Sequence, residues 1–236
     1  MRKFASTVFL LTVLFAASMH AAISTSESKR LREASAVLSE LRATPEKGIP
    51  NEIWSKAQCV MVIPSVRKAA FIVGGEYGKG VASCRTANGW SAPAFVQIEK
   101  GSWGAQIGAQ SIDLVLLVMN QSGMEKLMQD KISLGAGMSI AAGPVGRSAG
   151  ASTDAKLTAE ILSYSRSRGV FAGIDLSGGV LGPDKDSNTD VYGSTATVRQ
   201  ILIENSVPSP SDATTFMAAL RAGGSDATPR ATSGRK

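Results

Sequence analysis

IPSVRKAAFIVGGEYGKGVASCRTANGWSAPAFVQI, residues 63–98, sets the architecture of the chain. Apolar runs at 69–73 and 93–98 flank a segment carrying Gly74, Gly75, Gly78 and Gly80. The pattern predicts three β-strands joined by glycine-rich and Asn-Gly turns. Glycine crowded into strand-forming sequence marks a bulge, a bend or a close backbone approach. Thr86-Ala87-Asn88-Gly89 carries the strongest short-range hairpin signal. Two readings compete for the glycines: a cradle for a ligand, or a device that shapes a sheet.

On either side of these glycines, 58–64 reads as a buried strand with an exit turn at 65–68, followed by strands near 69–75, 78–85 and 93–99. The very apolar segment 111–119 is too short to cross a bilayer as a helix and reads as a central strand. A helix follows at 124–131, with Ser122 as a plausible cap. Strand-like sequence returns at 134–142 and 155–165, a hairpin-like unit at 169–181, and a polar loop at 184–190. Residues 24–44 read as an amphipathic helix, with Leu31, Ala34, Leu38 and Leu41 on one face and Lys29, Arg30, Arg32 and Arg42 on the other. That helix either covers the domain or lies on a membrane. Further helices are predicted near Ile53-Trp54, at 195–205 and at 211–222.

The fold class expected is α+β: a curved, mostly antiparallel sheet, closed or nearly closed into a barrel, with N- and C-terminal helices. The 236 residues divide into an apolar leader at 1–22, one domain at 23–222 and a polar, disordered tail at 223–236. Met1-Arg2-Lys3 and the following apolar run have the form of a secretory signal, so the chain is expected to be exported, periplasmic or secreted. The cleavage site is weak, which keeps an uncleaved anchor as the alternative. Losing Arg2 and Lys3 with the leader takes the net charge from +6 to about +4. That mild excess suits an anionic surface, and with no dense Lys/Arg run it argues against nucleic acid.

The sequence holds two cysteines, Cys59 and Cys84, and one histidine, His20. In an oxidising compartment the pair forms either a disulfide or two buried thiols. Gly146-Arg147-Ser148-Ala149-Gly150 matches the nucleophile-elbow string, but a mature chain without histidine lacks the usual base for serine chemistry and the commonest zinc ligand. A Ser-Lys dyad is the residual enzymatic reading, and a non-enzyme is expected. The segment 74–80 fails the P-loop spacing, with Gly80 where Ser or Thr should hold Mg²⁺. Asp184, Asp186, Asn188 and Asp190 imitate the opening of a calcium loop, but Thr189 and Thr195 stand where glycine and glutamate are needed. A solvated loop is the better reading. No metal or cofactor is expected.

The order of motifs is similar to that of the SYLF-domain family: Ile63-Pro64, GGEYGKG at 74–80, Arg85, Gly89-Trp90-Ser91 with Pro93, Gly101/Gly104/Gln106/Gly108, Ala142 to Gly146, Ser163-Tyr164-Ser165-Arg166, and Gly169 with Phe171-Ala172-Gly173. The resemblance covers roughly residues 34–205. It implies a lipid-binding module, since eukaryotic members bind phosphoinositides and some yeast members also bind and bundle actin. For an exported chain the transferable part is binding to an anionic phospholipid surface; the alternative is an envelope structural or protein-interaction module whose partner is unknown. Lipid phosphates are recognised by Arg, Lys and approachable backbone N–H groups. The candidate contacts are Lys29, Arg30, Arg32, Arg67, Lys68, Lys79, Arg85, Arg147, Arg166 and Arg168.

Overall fold

The structure is a computed structural model that describes residues 23–43, 48–70, 73–103, 110–145, 158–167 and 170–223. The leader at 1–22, the segment 146–150, Arg168 and the tail from 224 lie outside the described residues.

The described chain opens with helix α1 (Thr25–Ala43) and the short α2 (Asn51–Lys56). Strands β1 (Cys59–Ala70), β2 (Val73–Thr86), β3 (Gly89–Trp90), β4 (Ala94–Trp103) and β5 (Gln110–Val118) follow. Then come α3 (Gln121–Lys126), β6 (Ile132–Ser133), β7 (Ile140–Ala142), β8 (Ile161–Ser167), β9 (Val170–Gly173) and β10 (Gly179–Pro183). Helices α4 (Lys185–Tyr192), α5 (Val198–Leu202) and α6 (Thr214–Ala222) close the described chain, α6 preceded by a 3₁₀ turn at Ser211–Ala213. The sheet order is β6-β10-β4-β2-β1-β5-β8-β7, with β3 on β2 and β9 on β8. Every pairing of named strands is antiparallel except β7 with β8. The sheet is strongly curled into a half-barrel whose edge strands are β6 and β7, so the curved, mostly antiparallel α+β architecture expected is found, with the sheet open between these edges.

Strand alternation builds two cores. Val60 and Val62 of β1, with Val115 and Leu117 of β5, face α1 and α6; Leu31, Leu38, Phe216 and Leu220 fill that side. Met61, Ile63, Leu114 and Leu116 face the opposite way, against Met124, Leu127, Ile201 and Leu202. Both faces of the central strands are therefore buried, and this is why 111–119 reads as a continuous apolar run.

The glycine-rich stretch is strand throughout, not turn. Between the pairs Val62↔Val81 and Arg67↔Tyr77, β1 has one residue more than β2, and the pairing with β5 shifts at the same place. This is a β-bulge at Pro64-Ser65, where 65–68 reads as an exit turn in the sequence. Ser65 sits at φ 53°, and its N–H donates to Asp113 Oδ1 at 2.9 Å. The bulge puts Ile63 and Val66 on the same face, directly over β2. A Cβ on Gly80 would stand 2.2 Å from the Val62 carbonyl oxygen, and one on Gly78 2.6 Å from the Val66 side chain. Two strands approach where only glycine fits, so the cluster shapes the sheet.

Other expectations are corrected. The run 134–142 is broken by a turn with Gly135 at φ 91°, leaving only the short β7. The unit at 169–181 is no hairpin: β9 pairs with β8, and β10 with β4 and β6. Helix α3 begins earlier than expected and is capped by Asn120, whose side chain accepts from Gly123 N–H. The polar segment 184–190 is not a loop but helix α4, with Asp184, Ser187 and Asn188 buried.

Cys59 and Cys84 face each other across β1 and β2 and are joined by a disulfide. Both are fully buried. Closing a loop of sequence separation 25 is expected to contribute about 3 kcal/mol. Urea unfolding with and without prior reduction under denaturing conditions measures it: the reduced chain should show the lower midpoint, and equal midpoints would refute the assignment.

Candidate functional site

Four charge clusters decide which cations are free to meet a ligand. The largest joins α1, β2, β4 and α4. Arg30 lies buried with Nη1 2.9 Å from Asp184 Oδ2, Nη2 3.7 Å from Glu27 Oε1, and its guanidinium 5.3 Å from the Phe95 ring centre. Lys79 Nζ approaches the same Asp184 oxygen at 2.8 Å. The Ser187 hydroxyl, 2.9 Å from Glu27 and 2.8 Å from Asp184, donates to one of them at a time. Asn188 accepts from Phe95 N–H and donates to Phe95 C=O, both at 2.8 Å, so its amide pairs with β4 as a neighbouring strand would. Burial alone would raise the Asp184 carboxyl, but hydrogen bonds from Lys79 and Ser187 and the charges of Lys79 and Arg30 hold it below its usual range. The hydrogen bond to Asp184 raises Lys79 in turn.

In the second cluster, Arg166 reaches Glu40 of α1 at 2.7 Å and Asp113 at 3.1 Å. Together with Arg30 it pins α1 across the sheet at both ends. In the third, Arg85 donates to the carbonyls of Ala57 (2.8 Å) and Trp54 (3.2 Å) and stacks 4.5 Å from the Trp90 ring. Burial lowers its pKa.

The fourth centres on Glu160. It accepts from Ser122 Oγ at 2.6 Å and from Ser139 N–H at 2.9 Å, and pairs with Lys126 at 2.8 Å. Burial opposes the charged form, but Lys126, Ser122 and Ser139 outweigh it and hold the carboxyl at about 2. A carboxyl depressed from its ordinary 4.5 contributes stability that is present above that value and is lost as pH falls toward about 2. Urea midpoints measured across this window should fall further in the native chain than in Glu160→Gln, and parallel profiles would refute the assignment.

Of the ten cations singled out in the sequence, Arg30, Lys79, Arg85 and Arg166 are therefore engaged inside the protein. Arg30 in particular is corrected: it points into the core, not outward from α1. Lys29, Arg32 and Arg67 are exposed; Lys29 makes only a 3.7 Å contact with Glu33, and Arg67 stands opposite the half-exposed Tyr77. The Lys68 side chain, Arg147 and Arg168 lie outside the described residues. Lys29 and Arg32 belong to the outer face of α1, whose inner face is filled by Leu31, Ala34, Val37, Leu38 and Leu41. The structure does not gather the seven described candidates into one site.

Sequence reasoning missed Ser187 and Glu160, and it placed Asp184 and Asn188 in a solvated loop where the structure buries them. Asp184, Ser187 and Asn188 recur at i, i+3 and i+4, the spacing of one helix face, and that was the signal available. Among the described residues no cluster of His, Cys, Asp or Glu could hold a metal, and no helix is long and apolar enough to cross a membrane.

Residues 99–223, just over half the chain, match the Ysc84 family, described as a Las17-binding protein actin regulator. Among curated proteins, the chain is 34% identical over 188 residues to an SH3 domain-containing YSC84-like protein 1 of Rattus norvegicus, covering 79% of this chain and 54% of the relative. It is 31% identical over 166 residues to LAS seventeen-binding protein 3 of Saccharomyces cerevisiae, covering 69% and 36%. An SH3 domain-containing protein of Schizosaccharomyces pombe is 36% identical over 158 residues, covering 65% and 36%. The chain thus spans between about a third and just over half the length of these relatives.

Proposed function

The chain belongs to the Ysc84 family, the SYLF-domain family that its motifs resemble, and on that footing we propose that it is a non-enzymatic, exported binding module for anionic phospholipid at a membrane surface. One observation carries the reading. Once the internal partners are assigned, Lys29, Arg32 and Arg67 are, among the described residues, the candidate cations left exposed, two of them on the outer face of a helix whose inner face is fully packed. Such a helix needs no apolar insertion to act; it presents charge to charge, each cation near an anionic leaflet contributing about 1 kcal/mol.

A second reading, protein recognition, is favoured by the family description, which names a Las17-binding actin regulator. The same exposed cations suit an acidic protein surface. Pelleting the purified chain with phosphatidylglycerol vesicles, and separately with actin filaments, discriminates the two. Pelleting with vesicles alone supports lipid; pelleting with filaments alone replaces it.

A further inference from the structure

Between α3, α4 and the start of α5 lies a groove of about 740 Å³, within the range of small-molecule sites. Its apolar wall includes Met128, Pro183, Ala196 and Val198. On its rim Lys185 and Asp130 hold each other at 2.9 Å, and Glu125 accepts from the Gln121 amide. Arg199, also lining the groove and exposed, makes none of the described ion pairs. Behind Pro183 and Val198, on the α3 and α5 side of the sheet, the packing leaves only a void of about 10 Å³, so the groove has a closed floor. The rest of the void's lining is apolar, including Val96, Leu127, Leu181 and Leu202. Gly182 makes this geometry possible: a Cβ there would stand 2.4 Å from the Asp130 carbonyl oxygen, so only glycine lets β10 come this close to the turn after α3.

A groove with an exposed arginine free of the described ion pairs on its rim and an apolar wall of Met128, Pro183, Ala196 and Val198 has the polarity of an amphiphile. We propose that it binds a single-chain amphiphile with an anionic headgroup, the headgroup on Arg199 and the chain laid in the groove along Met128, Pro183 and Val198. The headgroup chemistry is a phosphate monoester or a carboxylate, both of which an arginine fork recognises. This site shares no residue with the exposed cations assigned to membrane docking, and it stands whether or not that reading does.

Calorimetric titration of the full chain with dodecyl phosphate, dodecanoate, octyl phosphate and inorganic phosphate, each below its micellar concentration, tests it. One saturable site is expected for a dodecyl anion, and the tighter of the two identifies the headgroup. Affinity should rise about fourfold per buried methylene, so octyl phosphate binds at least tenfold more weakly than its dodecyl counterpart. Inorganic phosphate gives no signal. Ala196→Trp, which fills the groove, and Arg199→Glu, a surface change that leaves the core intact, should each weaken binding at least tenfold. Reversal of Lys29, Arg32 and Arg67 should leave it unchanged. Absence of saturable binding by either dodecyl anion overturns the proposal, as does wild-type affinity in Arg199→Glu.

Discussion

Asp184→Ala is expected to lower the folding stability by about 3–5 kcal/mol, read as a fall in the urea midpoint at unchanged slope. Among the described residues, Asp184 is the single carboxylate within 3 Å of both Arg30 and Lys79, and its side chain is 3% exposed. Removing it strands the Arg30 guanidinium in a buried site with only the 3.7 Å contact to Glu27 as an ionic partner. An uncompensated buried charge costs more than the pair contributes when intact, because its desolvation is no longer offset. Lys79→Met should cost far less, about 1 kcal/mol, since Lys79 is 36% exposed and Asp184 keeps Arg30. The pH dependence has two arms. The depressed Asp184 carboxyl contributes stability that is present above its ordinary value of 3.8 and is lost as pH falls through its lower folded value. The raised Lys79 contributes below its ordinary 10.5 and is lost as pH rises through its higher folded value. Equal costs for Asp184→Ala and Lys79→Met would show that Arg30 is not buried as described.

Reversing three charges, Lys29→Glu, Arg32→Glu and Arg67→Glu together, is expected to weaken binding to anionic vesicles by about a hundredfold or more, from about 1 kcal/mol per cation near the leaflet. All three side chains are exposed, so the folding midpoint should move little. Two internal arginines serve as the comparison. Arg166→Gln and Arg30→Gln should lower stability by breaking internal pairs to Asp113, Glu40 and Asp184, and among molecules that remain folded they should bind vesicles as the native chain does. Loss of binding in these two with full binding in the triple reversal would move the membrane contact to Arg30 and Arg166.

The sheet was legible because the apolar runs of β1 and β5 are short and bounded by turn residues, which favours buried strands over helices, and Thr86-Ala87-Asn88-Gly89 forms the turn between β2 and β3 as its residues dictate. The glycines at 78 and 80 announced a close approach, though not that the partner would be a bulge at Ser65; that depends on how β1 registers against two neighbours at once. Helix α4 was hidden for a physical reason. Its inward face carries Ser187 and Asn188, satisfied by hydrogen bonds rather than hydrophobic contact, so no apolar period marks it. The pairing of β9 and β10 with distant strands was equally out of reach, because adjacency in sequence suggests a hairpin. Of the site, the cations were visible but their engagement was not. Position 30 shares the helix face of Ala34, Val37 and Leu41, which sets Arg30 apart from Arg32, but the partner that holds it there, Asp184, lies 154 residues away.

Docking of this fold on an anionic membrane through its exposed cations is open to a simple assay, co-sedimentation with phosphatidylglycerol and phosphatidylcholine vesicles, each at low and high salt. Pelleting is expected with the anionic vesicles at low salt, sharply reduced at high salt as the screening length shortens, and little pelleting is expected with the neutral ones. Binding indifferent to lipid charge and to salt, or no binding to either vesicle, would rule out electrostatic docking.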